Sequence, residues 1–330
     1  MENFEQLLLR VNNAVAALPL EQEPKALYEP IIYTLSLGGK RLRPVMALMA
    51  CQLFKKSIEP ALLPALGIEV FHNFTLLHDD IMDHADMRRG KATVHAKWNE
   101  NVGILSGDAM FAVAYKLLAQ GPEKVLKKIL DSFNKMALGV CEGQQYDMNF
   151  ETTKEVSMAE YMEMIRLKTS VLIAGALEIG GIIGEASPSA LSHLYTYGIE
   201  LGLAFQLQDD LLDLYGDEQK FGKKIGSDIR ENKKTFLFLK ALELLPEEEA
   251  VCLKKYFQTE SEIALTQEEK IKAVRALYES IAMKKVCQQE IQNLYEKAVL
   301  ELHAISKKEI DPQGLDILLN FSERLLLREY

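Results

Sequence analysis

At 330 residues, 48% of them hydrophobic, the chain is long enough to bury a large core as one domain or two. Its 48 acidic against 38 basic residues leave a net charge of −10, which argues against nucleic acid as a partner because neutralising phosphates takes a basic surface. Cys51, Cys141, Cys252 and Cys287 stand far apart without a Cys-x-x-Cys pair, a pattern that suggests neither a zinc site nor a disulfide framework and suits buried thiols in a reducing compartment.

The start, Met-Glu-Asn-Phe-Glu-Gln, has no basic region leading into an apolar core, and no apolar run reaches the ~20 residues that span a bilayer, so a soluble cytoplasmic protein is expected. Pro24, Pro44, Pro60, Pro122, Pro188, Pro246 and Pro312 sit where helices should start, because a missing N–H costs little there. Capping boxes stand at Ser157-Met-Ala-Glu160 and Thr266-Gln-Glu-Glu269. Between these signals the apolar period is 3.6 and alternating strand patterns are absent, so the chain reads as all-α. Helices are predicted near 3–17, 24–37, 44–55, 60–83, 103–119, 122–147, 158–184, 188–215, 232–245, 247–257, 267–281, 283–305 and 312–327. No repeat or linker divides them, so residues 1–330 read as one domain. The polar loop 217–231 is placed to fold over a site as a lid.

Taken in order, the chemistry begins at Gly38-Gly39-Lys40-Arg41-Leu42-Arg43, just before the helix opened by Pro44. Backbone N–H groups, the positive end of the helix dipole and three cations would meet there as an anion site, unless the charges are incidental to a surface turn. The helix 60–83 then ends in Asp79-Asp80-Ile-Met-Asp83, with His72, Leu76, Asp79 and Asp83 on one stripe. Two like charges about 4 Å apart repel by roughly 4 kcal/mol at an effective dielectric of 20, a cost no structural role requires. Arg88-Arg89-Gly90 follows, then Gly143-Gln144-Gln145-Tyr146-Asp147 at the end of another apolar helix, and Lys168-Thr169 at the head of the run from Val171 to Ile183. A lysine in that position can simply snorkel, and His72 can be a core histidine. About 130 residues after the first cluster, Gln206-Leu-Gln-Asp209-Asp210-Leu-Leu-Asp213 repeats the acidic spacing. One copy reads equally as a solvated helix end, whereas two copies on apolar helices point to carboxylates facing each other across a cavity, with magnesium as the suited cation.

In that order, these motifs resemble the trans-prenyl diphosphate synthases over roughly residues 35–235. The resemblance implies an isoprenoid synthase fold, a helical bundle around a central cavity. It implies magnesium-dependent head-to-tail joining of isopentenyl diphosphate to dimethylallyl, geranyl or farnesyl diphosphate. Three magnesium ions would be held by Asp79, Asp80, Asp83, Asp209, Asp210 and Asp213. Lys40, Arg43, His72 and Arg89 would bind isopentenyl diphosphate, and Arg88, Lys168, Lys223 and Lys233 the allylic diphosphate. The Lys168 carbonyl, Thr169 and Gln206 would face the developing cation, with Gln144 and Asp147 near the metals. Asn232 stands where the family commonly has glycine, which leaves open whether Lys233 or Lys234 meets diphosphate. Both loop lysines can also be solvated. A homodimer and small-molecule diphosphate partners are implied as well.

Product length is read from the helix before the first cluster. The family's stop position falls on Phe74, while helix geometry favours Thr75 and Phe71, and the combination suits a fifteen- or twenty-carbon product, twenty preferred. A longer-chain synthase and a non-catalytic subunit are the alternatives. A terpene cyclase would not need Lys40, Arg43 and Arg89, and a di-iron bundle needs two Glu-x-x-His pairs where only Glu69-Val-Phe-His72 occurs.

Overall fold

The computed structural model describes residues 1–55, 57–216, 225–257 and 265–327, and these are almost wholly helical, as an all-α chain requires. The helices are α1 Phe4–Ala16, α2 Lys25–Ser36, α3 Leu42–Phe54, α4 Glu59–Met82, α5 Val94–Lys97, α6 Glu100–Leu118, α7 Leu126–Thr152, α8 Met158–Ile165, α9 Val171–Ile183, α10 Pro188–Tyr215, α11 Ser227–Arg230, α12 Phe236–Leu244, α13 Glu247–Tyr256, α14 Gln267–Ser280, α15 Met283–Ala304 and α16 Pro312–Leu327. Both expected capping boxes form, and a third joins Asn3 to Gln6.

The departures from expectation have local causes. α6 starts at Glu100 because the Asn99 side chain caps it by accepting from the Val102 N–H at 2.9 Å. α7 runs on to Thr152. The stretch 158–184 is not one helix: a π-turn over Arg166–Ser170 parts α8 from α9. The helix expected from 232 begins at Phe236, since Asn232 turns the chain with φ +57°. Of the expected lid, residues 217–224 lie outside the described residues, and 225–231 carry the short α11. A two-stranded antiparallel hairpin, Met87–Arg88 with Lys91–Ala92, was not expected. Its two turn residues, Arg89 and Gly90, both take positive φ (+53° and +74°), as a primed two-residue turn requires.

The chain divides into two compact units. One comprises Met1–Met136, Leu172–Thr196 and Glu301–Phe321, the other Ala137–Val171, Tyr197–Leu300 and Ser322–Tyr330. In the first unit, α3 and the front of α4 are buried almost all round, and each fully buried Leu, Ile or Phe contributes about 1.5–3 kcal/mol. α4 is long and apolar enough to pass for a membrane span by length and composition, yet 61% of that window is buried in protein. Beside it lies an aromatic cluster of Phe71, Phe74, Phe111, Tyr115 and Phe133, with neighbouring ring centroids 5.0–6.3 Å apart. In the second unit, Gly143 of α7 lies against the Lys168 backbone and Gly202 of α10 against Ser170, each too close to admit a Cβ. Those two contacts seat the π-turn.

Candidate active site

In the first unit the site is built on α4 and on the loop before α3. Gly38, Gly39 and Arg41 all have positive φ (+78°, +132° and +48°), so the backbone doubles back and sends neighbouring side chains apart. The expected trio of cations is thereby reduced, because the Arg41 guanidinium turns inward and is 5% exposed. Its Nη1 lies 2.7 Å from Glu69 Oε1, and its Nη2 donates to the Leu35 carbonyl at 2.5 Å. Lys40 stays exposed, and Arg43 is half-buried with Nη1 3.1 Å from His72 Nε2. An arginine only donates, so His72 accepts through Nε2 and carries its proton on Nδ1. Burial first, then the surrounding Arg43, Arg89, Arg88 and Arg41, hold the His72 imidazole well below its ordinary pKa, so the ring is neutral. From the hairpin turn, Arg89 donates to the Gly38 carbonyl, and a Cβ on Gly39 would stand 2.8 Å from that guanidinium.

About two turns further along α4, near its C-terminal end, Arg88 of the same hairpin donates through Nε to Asp80 Oδ1 at 2.7 Å and, more loosely, through Nη2 to Asp79 Oδ2 at 3.4 Å. Asp80 is buried. Burial raises its pKa, Arg88 opposes that shift, and Asp79 adds to it. Asp79 is half-buried, and Asp83, which ends the helix, is exposed. The Phe74 ring packs on Phe71, Phe111 and His78, while the Thr75 hydroxyl donates to the His72 carbonyl at 2.8 Å.

In the second unit, the π-turn carries Lys168 and Thr169, and a widened turn withdraws backbone groups from ordinary helix pairing at the place where oxygen dipoles are wanted. The Thr169 hydroxyl donates to Gln206 Oε1 at 2.9 Å, and Gln206 Nε2 donates to Asp210 Oδ1 at 3.1 Å. Tyr161, fully buried on α8, donates its phenolic O–H to Asp210 Oδ2. Lys168 Nζ lies 2.6 Å from Asp147 Oδ2, and Gln144 is half-buried one turn earlier on α7. Asp213 accepts from the Ser227 hydroxyl and from the Asp228 N–H at 3.1 Å. Asp210, Asp213, Asp228 and Lys233 line one small hollow. Lys233 pairs with Glu231 at 2.8 Å, whereas Lys234 donates to the Phe150 carbonyl at 2.7 Å. Lys223 lies outside the described residues.

Burial pushes the Asp210 carboxyl up to about 6 against the Tyr161 and Gln206 donors, with Asp209 adding to the rise. Asp228 is raised well above the carboxylate range by burial, then by Asp213 and Asp210. Such crowding of hard oxygen donors, with Asp210 and Asp213 answered by hydroxyls, an amide and a backbone N–H, is the chemistry of residues that suit a divalent cation. Among the described residues no three acidic, His or Cys side chains are gathered closely enough to enclose an ion by themselves, so further oxygens would have to come from water or a ligand.

Tyr161, Ser227, Asp228, Glu69 and Phe111 were not singled out from sequence. Tyr161 stands seven residues ahead of Lys168 and reads as a core aromatic, Asp228 is lost in a polar loop, and Phe111 belongs to a different helix from Phe74. Only Glu69 gave a hint, as the partner of His72 in the single Glu-x-x-His pattern.

A family model described as polyprenyl synthetase matches residues 24–281. The chain is 38% identical over 320 residues to a geranylgeranyl diphosphate synthase of Methanosarcina mazei, covering 96% of this chain and 91% of that one. A crystal structure of a geranylgeranyl pyrophosphate synthase superposes with a TM-score of 0.93 at 43% identity over all of both chains. That of a geranylgeranyl pyrophosphate synthetase from Pyrococcus horikoshii does so with 0.89 at 31%, covering 99% of this chain and 98% of that one.

Proposed function

The chain belongs to the polyprenyl synthetase family, and on that premise we propose that it joins isopentenyl diphosphate head to tail to an allylic diphosphate, giving a short all-trans prenyl diphosphate. The observation that carries this reading is the hairpin 87–92. It sends consecutive arginines to opposite tasks, Arg88 to the acidic end of α4 and Arg89 to the Gly38 loop beside His72. One helix with two separate sites for anionic partners suits an enzyme that handles two diphosphates, whereas a cyclase of a single diphosphate needs one.

In this reading Lys40, Arg43, His72 and Arg89 bind isopentenyl diphosphate. Arg88, Lys168, Lys223 and Lys233 bind the allylic diphosphate. Asp79, Asp83 and Asp209 would be the principal ligands for three magnesium ions, and Asp80, Asp210 and Asp213, whose own oxygens accept from protein donors, would complete the two acidic sets. Magnesium, when bound, supplies Lewis-acid neutralisation of the leaving diphosphate. The allylic C–O bond breaks with its electron pair going to diphosphate, and Lys168 and Lys233 hold that anion. The Lys168 carbonyl, the Thr169 hydroxyl oxygen and Gln206 Oε1 present fixed dipoles to the positive charge that develops. The isopentenyl double bond then forms the new C–C bond, and the proton lost from its neighbouring carbon passes to the departing diphosphate, so no protein nucleophile is consumed.

The ring contacts of Phe74 with Phe71 and Phe111 support a short product, twenty carbons before fifteen. The reading extends to one family domain over the chain, to a cytoplasmic location and to a homodimer, the last checked by light scattering. The decisive experiment incubates the purified protein and magnesium with isopentenyl diphosphate and each allylic primer in turn, then sizes the products. Absence of any elongated product would overturn the reading. In the same assay Phe74→Ala should lengthen the main product by about one five-carbon unit, since one helical turn of ~5.4 Å matches roughly one extended isoprene. An unchanged product would remove Phe74 as the stop.

A further inference from the structure

Arg41 sits between two cations assigned to an anion, yet its side chain takes the opposite direction. Left-handed backbone at φ +48° directs it under the loop, where it is 5% exposed. There its three nitrogens reach three separate elements: Nη1 to Glu69 of α4 at 2.7 Å, Nη2 to the Leu35 carbonyl of α2 at 2.5 Å, and Nε to Asn12 of α1 at 3.4 Å. Glu69 is 2% exposed and also accepts from Asn73 Nδ2 at 2.9 Å. It lies one helical turn before His72, the residue that Arg43 touches. A planar guanidinium with five donors can bridge several partners in one fixed geometry, which a lysine cannot.

We propose that the buried Arg41–Glu69 pair is a positioning device for the isopentenyl diphosphate site, fixing the backbone of 38–43 so that Lys40 and Arg43 converge with His72 and Arg89 without itself touching the ligand. The inference rests on the assignment of that loop made under the proposed function. Glu69 has a second task, because its negative charge faces Arg41 and Arg89 within a group of arginines that would otherwise repel one another.

The test replaces the pair by apolar residues, Arg41→Met with Glu69→Leu, since exchanging a buried ion pair for well-packed hydrophobic groups commonly preserves folding whereas removing one partner does not. With the fold confirmed by circular dichroism and melting, the expected result is a rise of about tenfold or more in the KM for isopentenyl diphosphate, with kcat and the allylic KM within about twofold of the parent. An unchanged isopentenyl KM, or an equal loss in all three constants, overturns the proposal. Should that double variant fail to fold, Arg41→Lys decides on the same readout, because it keeps the charge but cannot span Leu35 and Asn12 together. Lys40→Ala and Arg43→Ala serve as reference. If they too leave the isopentenyl KM unchanged, the loop assignment itself has failed.

Discussion

The two Asp-Asp-x-x-Asp clusters share a spacing and differ in company. At the end of α4, Asp79 and Asp80 are answered by the guanidinium of Arg88. On α10, Asp210 and Asp213 are answered by a phenol, an amide, a hydroxyl and a backbone N–H. Burial favours the neutral form in both places, raising Asp80 as it raises Asp210. Among the arginines near the first cluster it drives a base, His72, toward its neutral form. In the second it drives an acid, Asp210, up to about 6. A charged partner stabilises a carboxylate even without metal, whereas neutral donors orient it and leave its charge for something else to neutralise. The second cluster is therefore the one more dependent on a bound cation.

The largest effect tests whether either cluster can stand alone. Asp79→Ala and Asp209→Ala should each lower turnover about a thousandfold, since the electrostatic term at stake is several kcal/mol and each ~1.4 kcal/mol is tenfold. Both variants should keep the parent's melting profile within a few degrees. A near-normal rate in either would mean that the two copies are redundant, and the difference in their surroundings would lose its functional meaning.

A sharper cut separates orientation from charge. Asp210 as an ionised carboxylate only accepts, so Gln206 must face it with the amide N–H, which leaves Oε1 toward Thr169. Tyr161 holds the other carboxylate oxygen. Tyr161→Phe should lower kcat about tenfold and destabilise the fold by about 1–3 kcal/mol, the range for leaving a buried acceptor short of one donor. Steady-state kinetics beside denaturant unfolding checks both, and in a Gln206→Ala background the kcat loss should vanish, because Tyr161 acts through the amide. Additive losses would make the phenol a packing group only.

How much of this was legible follows from the same residues. The helices were, because Pro at helix starts, capping boxes and a 3.6 apolar period are local signals, and the acidic spacings are local too. Arg41 leaves the expected trio of cations because adjacency in sequence is not adjacency in space, and its own left-handed backbone between Lys40 and Leu42 breaks that link. The π-turn was invisible because contacts with Gly143 and Gly202, residues remote in the chain, accompany it rather than any signal in Arg166–Ser170 itself. Tyr161 and Asp210 are 49 residues apart, and no periodicity spans that distance. Asn232 was readable at its own position, since an Asn in place of a glycine at a turn still reaches the left-handed region, and it does so at φ +57°.

The smallest effect probes the arginine-rich side of the comparison through its histidine. In the unfolded chain His72 takes up a proton near its ordinary pKa of 6.5, whereas in the fold burial and Arg43, Arg89, Arg88 and Arg41 keep it neutral to well below that value. The unfolded state therefore binds more protons as pH falls, so stability is unaffected by this group above about 6.5 and declines below it, by about 1.4 kcal/mol per pH unit. Between pH 7.5 and 5.5 the parent should lose about 1.4 kcal/mol more than His72→Gln, which keeps a polar side chain but does not titrate. Urea unfolding of both proteins at the two pH values measures that difference directly. Equal losses would mean that His72 accepts a proton inside the fold, which the four guanidinium groups around it could tolerate only if Glu69 and the acids at the end of α4 outweigh them. The excess of positive charge claimed for this side of the molecule would then be wrong.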